Sequence, residues 1–216
     1  VGYAGSRQAA PILLEGLSKL EYRGYDSAGI CVDTPAGLEV AKAKGRLQIL
    51  KDKIDDGKAV SGVTGIGHTR WATHGAPSDV NSHPHLSDSG KICLVHNGII
   101  ENYAELKDFL MQQGVTFRSE TDTEVVAQLL QYCMKDHDDL LDTVFDVLRR
   151  LKGAYALGIV KNDAPDRIIA ARKDAPLLIG HGENENFIAS DVTAILSHTR
   201  TVTYMEDGEV AVLTPD

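Results

Sequence analysis

Apolar residues return along this chain at two rhythms, one of three to four residues and one of two, and the switches between them mark out the elements. Val1-Gly2-Tyr3-Ala4-Gly5 reads as a strand that begins without a polar lead-in. Over residues 7–22 the positions Ala9, Leu13, Gly16/Leu17 and Leu20 recur at helical spacing, with Pro11 in the first turn, where a missing N–H costs little. That helix is expected to end in Tyr22-Arg23-Gly24-Tyr25-Asp26-Ser27, with Gly24 in the left-handed conformation. Residues 28–32 and 38–43 predict the strands of a hairpin, and residues 47–54 a short helix.

Gly62-Val63-Thr64-Gly65-Ile66-Gly67 predicts a short strand that runs into a Gly/Pro-bounded loop, His68-Thr69-Arg70-Trp71-Ala72-Thr73-His74-Gly75. Residues 91–95 form a buried strand pattern ending at His96-Asn97-Gly98, where Asn-Gly predicts a tight turn with amides aimed at a ligand. Helical patterns cover residues 103–113, closed by Gly114, then 125–135 and 140–151, and Thr121 or Asp122 is placed to cap the second. The remainder is strand-like: residues 154–160, 167–171, 177–180, 186–189, and 201–213 folded back at Glu206-Asp207-Gly208. Strands flanking a central helical block predict one α+β domain, with helices on the outer faces of packed, mostly antiparallel sheets.

Composition narrows the function. Twenty-two Lys+Arg against 31 Asp+Glu leave a net charge of -9, with no basic stripe, so a nucleic-acid partner has no electrostatic footprint. Cys31, Cys93 and Cys133 are widely spaced and set among apolar residues, as reduced thiols of a cytoplasmic protein would be. No apolar run reaches membrane-spanning length. The chemistry gathers in the loop: a guanidinium suited to two-point recognition of a carboxylate stands beside an indole, a hydroxyl and an imidazole. An acidic or zwitterionic small ligand is the first expectation, against the plainer reading of a solvated surface loop. A metal-dependent hydrolase is the rival: His68, His74, His83, His85 and His96 fall close together, although no carboxylate stands at ligand spacing.

Four blocks then carry a resemblance: LEYRGYDSAG at residues 20–29, HTRWATHG at 68–75, HNGIIEN at 96–102 and SETDTE at 119–124, with NFIASD at 186–191. In order and spacing they resemble the glutaminase (type-2 glutamine amidotransferase) domain of the glutamine-fructose-6-phosphate aminotransferases, over essentially the whole chain. The resemblance implies the four-layer αββα fold of N-terminal nucleophile hydrolases, needing no cofactor and no metal. It implies that Arg70 pairs with the α-carboxylate of L-glutamine and Asp122 with its α-ammonium, that Thr73 and His74 add contacts, and that Trp71 covers the site. The Asn97 side-chain amide and the Gly98 backbone N–H are implied as the oxyanion hole, and Arg23 as a neighbour of the nucleophile. The partners implied are sugar isomerase domains in the full-length chain and a second copy in a homodimer.

One departure matters. The family pattern begins Cys-Gly-Ile, followed by the Val-Gly that stands here as Val1-Gly2, and the three internal cysteines carry no free α-amino group. On the resemblance, residues 1–216 are expected to bind glutamine and to hydrolyse it only with that preceding cysteine. Either a start is omitted or the nucleophile is truly missing. A silent glutamine-binding module, and another amidotransferase such as the phosphoribosylamine-forming one, stay open as alternatives. The sugar isomerase domains are expected to lie outside residues 1–216.

Overall fold

The computed structural model describes all of residues 1–216, and alternation along its strands sorts the apolar side chains into three stacked cores. The first half holds β1 (Gly2–Ala4), α1 (Ala9–Leu20), β2 (Ser27–Thr34), β3 (Gly37–Lys44), α2 (Leu47–Lys53), β4 (Thr64–Arg70), β5 (His85–Leu86) and β6 (Ile92–Ile100). Three helices follow: α3 (Tyr103–Gln112), α4 (Asp122–Cys133) and α5 (Leu140–Arg150). The last strands are β7 (Gly153–Lys161), β8 (Ile168–Lys173), β9 (Leu178–His181), β10 (Asn186–Ala189), β11 (Thr201–Tyr204) and β12 (Val210–Leu213).

Seven strands form one sheet in the order β11-β9-β10-β1-β4-β2-β3, and five form the other in the order β12-β8-β7-β6-β5. Neighbouring strands run antiparallel in both. On β2, Ile30 and Val32 pack with Leu13 and Leu17 of α1, while Cys31 between them faces the other sheet. On β6, Leu94 packs with Leu129 and Leu130 of α4, while Cys93 and Val95 face the first sheet. Period-two alternation thus yields helices, sheet, sheet, helices. All three cysteines are free and buried, and no helix is long and apolar enough to cross a membrane.

Four expectations about local structure give way to tertiary contacts. Gly24 is extended (φ -161°), and its missing Cβ is needed because one would lie 3.0 Å from the Arg70 carbonyl carbon. His68, Thr69 and Arg70 belong to β4, whose pairing with β2 runs on to Ser27 opposite Arg70. Asn97 and Gly98 make no turn, because β6 continues through them in register with β7; Gly98 has φ +119°, and a Cβ there would collide with the Ala154 carbonyl oxygen. Finally, β11 and β12 are no hairpin: they edge different sheets, and Met205, just after β11, is buried in the core between the sheets.

Candidate active site

The layer between the sheets ends in polar residues. Along β4, Ile66, His68 and Arg70 share one face, and along β6 so do Cys93, Val95 and Asn97. Ile66 and Val95 belong to the inter-sheet core. One step further, His68, Arg70 and Asn97 line a cavity of about 310 Å3. Asp122 reaches it from the first turn of α4, where Thr121 caps the helix by accepting the Glu124 N–H at 3.2 Å. Every site residue anticipated from the sequence lines this cavity: Arg23, Arg70, Trp71, Thr73, His74, Asn97, Gly98 and Asp122.

Arg70 and Asp122 are buried charges that spend their bonds apart from each other. Arg70 is 4% exposed; its Nη2 donates to the His74 carbonyl and, at 3.0 Å, to the Gly75 carbonyl, while its buried Nη1 has no partner. Burial pulls the guanidinium below its ordinary pKa, opposed by the carboxylates of Asp26 and Asp122. The Asp122 carboxylate accepts the Ile100 N–H at 2.9 Å, and its place in the first turn of a helix favours negative charge. A cation with one edge free and a fixed carboxylate in one cavity have the chemistry to receive a zwitterion.

The remaining residues shape the walls and mouth. His68 Nε2 lies 2.7 Å from Asn97 Oδ1, and its ring stacks on His83 with centroids 4.2 Å apart. His96 Nδ1 lies 3.0 Å from Thr123 Oγ1, and His85 Nε2 lies 3.0 Å from Thr121 Oγ1. Burial pushes His68 down to about 3 and holds His83, His85 and His96 below the ordinary imidazole value, so all four are neutral at pH 7. His68 and His83 stack on each other and the rings meet the Asn97 amide and threonine hydroxyls, while Nδ1 of His68 and of His83 has no partner. Trp71 is 61% exposed at the mouth, edge-on to Tyr25, over which the Arg46 guanidinium sits. Arg23 Nη2 donates to Ser190 Oγ at 2.6 Å, with Asp191 at 3.7 Å. Thr73 lies exposed at the rim, and His74 sits edge-on to Tyr103.

Sequence reasoning missed Asp26 and misassigned His68. The Asp26 carboxylate accepts the Ala72 N–H, and its own N–H donates to the Arg70 carbonyl at 3.3 Å, so it anchors the loop from outside. Nothing local signals that contact. For His68 a signal existed, because its two-residue offset from Arg70 on a strand puts both on one face.

A family model for the glutamine amidotransferase domain matches residues 68–197, more than half of the chain. The chain belongs to that family. It is 56% identical over 216 residues to the glutamine-fructose-6-phosphate aminotransferase (isomerizing) of Caldanaerobacter subterraneus subsp. tengcongensis, covering 100% of this chain and 35% of that one. To the enzyme of the same name from Clostridium perfringens it is 54% identical, with the same coverage. The chain thus spans about a third of the length of these curated relatives. Among solved structures it resembles the glutamine phosphoribosylpyrophosphate amidotransferase of B. subtilis complexed with ADP and GMP, with a TM-score of 0.85 and 30% identity over 99% of this chain and 46% of that one. The αββα layering is accordingly that of the N-terminal nucleophile amidotransferases.

Proposed function

We propose that residues 1–216 are the glutamine-hydrolysing half of a glutamine-fructose-6-phosphate aminotransferase, releasing ammonia from L-glutamine to convert fructose 6-phosphate to glucosamine 6-phosphate, the first step of hexosamine biosynthesis. One observation carries the reading: Arg70, with a buried and unpartnered Nη1, shares a cavity with buried Asp122, and the Asn97 amide lines the same space. Arg70 takes the α-carboxylate and Asp122 the α-ammonium, which leaves the side-chain amide for the Asn97 end. Thr73 and His74 complete the substrate contacts, and Trp71 closes the mouth.

Strand register supports an entry for the nucleophile alongside β4. The Val1 nitrogen donates to the Gly67 carbonyl at 2.9 Å and the Val1 carbonyl accepts the Gly67 N–H at 2.7 Å, so the two strands are still paired there. A Cys-Gly-Ile segment joined to Val1 would run antiparallel to β4 for about 10 Å at strand rise, past His68 and Thr69, to stand opposite Arg70. Its thiolate attacks the amide carbon, and the oxyanion takes the Asn97 amide and the Gly98 N–H. The free α-amino group of that same cysteine takes the thiol proton as the thiolate forms and, as the C–N bond breaks, gives it to the departing ammonia. Water then cleaves the thioester to release glutamate. Arg23, tied to Ser190 at 2.6 Å, borders that entry.

We extend the reading to the rest of the protein on the same resemblance. Sugar isomerase domains accept the ammonia, the full-length chain is a homodimer, and it is cytoplasmic. The test is glutamate release from L-glutamine by the full chain, with fructose 6-phosphate and then phosphoribosyl pyrophosphate as acceptor. Stimulation by fructose 6-phosphate is expected; stimulation only by phosphoribosyl pyrophosphate moves the protein to the other branch of the family. Binding of glutamine without glutamate leaves a silent module.

A further inference from the structure

The oxyanion-hole amide is itself held by a group from the opposite sheet. Asn97 stands on β6 and His68 on β4, and their side chains meet across the mouth of the inter-sheet layer, His68 Nε2 at 2.7 Å from Asn97 Oδ1. An amide oxygen only accepts, so this contact requires a proton on Nε2. His68 Nδ1 is buried without a partner, which disfavours a proton there, since orphaned buried N–H groups are rarer than orphaned acceptors. With Oδ1 committed to His68, the part of the Asn97 amide left to the cavity is its NH2 group. Were the amide reversed, its oxygen would face the cavity and repel an oxyanion.

The ring of His68 is in turn held in place. It stacks on His83 at 4.2 Å with the planes 17° apart, and His83 Nε2 lies 3.4 Å from Thr123 Oγ1 on α4. The His83 main chain rests against Gly29 of β2, where a Cβ would collide with the His83 carbonyl oxygen. Both neighbours are part of the fold, so one face of the imidazole is held against the His83 ring.

We propose that His68 is a positioning residue for glutamine hydrolysis: its Nε2–H holds the Asn97 amide with the NH2 group turned toward the cavity, where the oxyanion develops. The inference rests on the glutaminase reading, and its test separates the two. Burial lowers the pKa of the ring to about 3, which suits a neutral donor to Asn97 Oδ1.

The test compares His68→Ala, His68→Gln, Asn97→Ala and the double variant of His68→Ala with Asn97→Ala, in the full chain, by glutamate release. Losing one oxyanion-hole donor costs about 10²- to 10³-fold in kcat, and His68→Ala, which frees the amide without removing it, is expected to cost about 10²-fold. KM for glutamine should stay within about threefold, because substrate binding is not what His68 serves. His68→Gln, whose amide can still donate to Asn97 Oδ1, should recover most of the rate, and the double variant should be no slower than Asn97→Ala alone.

A separate reading comes from 15N NMR of the histidine rings, which is expected to show the Nε2–H tautomer at His68. The proposal is overturned by an Nδ1–H tautomer, by a loss that falls on KM, or by a further drop of kcat when His68→Ala is added to Asn97→Ala. It is also overturned if His68→Gln is as slow as His68→Ala with unfolding temperature unchanged. No glutamate from the unaltered protein instead refutes the glutaminase reading, and the catalytic role with it, while the tautomer still reports the amide's orientation.

Discussion

Arg70→Lys keeps the charge and removes the fork. In the structure Nη2 is occupied by the carbonyls of His74 and Gly75 while Nη1 has no protein partner, so under the proposed function one side chain serves the loop and the ligand together. An ammonium on a shorter stem is a single point of donation and cannot cover both. The expected loss is one charge-assisted hydrogen bond to the α-carboxylate, about 1.5–3 kcal/mol, or about 10- to 10²-fold in KM and in Kd. The loop carbonyls of His74 and Gly75 lie half-buried at the cavity mouth, where water can replace the guanidinium, so the unfolding temperature should hardly move. The assay is glutamate release against glutamine concentration, with calorimetric binding beside it. 4-Aminobutanamide, which is glutamine without its α-carboxylate, supplies the control: Arg70→Lys should leave its handling unchanged. A KM for glutamine altered less than about threefold in a folded variant, or an equal loss with the control amide, would refute the assignment.

Three further outcomes are expected. Glu124 is 3% exposed and accepts the N–H groups of Arg118 at 2.9 Å and Ser119 at 2.6 Å. Glu124→Ala orphans both and should cost about 3 kcal/mol, lowering the unfolding temperature by about 6–12 °C in calorimetry; a fall under 2 °C or so contradicts the bond assignment. His68, His83, His85 and His96 all have depressed pKa values in the folded protein, His68 down to about 3. On acidification the unfolded chain takes up protons at these histidines first, so their contribution to stability is complete above about pH 6.5 and is lost as pH falls toward 3. Denaturant unfolding at pH 7, 6 and 5 should show this decline, up to about 1.4 kcal/mol per pH unit for each histidine, and a flat profile refutes it. Trp71 is the one tryptophan in the sequence and lies 61% exposed at the cavity mouth, so glutamine should change its emission, saturably and with the calorimetric Kd. An unchanged spectrum at saturation means that Trp71 does not cover the ligand.

Much of the architecture was legible in the chain because strand alternation is a local signal. Runs such as Ile92-Cys93-Leu94-Val95 read as buried strands, and the structure divides their side chains by alternation between the outer and the inter-sheet cores. The Arg70 loop was likewise legible as a candidate site for an acidic or zwitterionic ligand, whereas the SETDTE block read locally as a helix cap and was tied to that site only by the family resemblance; the structure brings both to one cavity. Asp26 was not, because its bond to the Ala72 N–H joins residues 46 positions apart.

By itself, then, the sequence determined the helical and extended periods, the acidic balance and the Arg70 loop as a candidate site for an acidic or zwitterionic ligand. All of these depend on residue type and short-range spacing. Only the tertiary structure decided which sheet each late strand joins, since β11 and β12 share one local pattern and are parted by Met205 entering the core between the sheets. It also decided that Asn97-Gly98 stays in a strand, that Gly24 is needed for close approach rather than for a left-handed turn, and that His68 meets Asn97 from the facing sheet. Those outcomes turn on how two sheets stack and which backbones come into contact, and spacing along one chain holds no record of that distance.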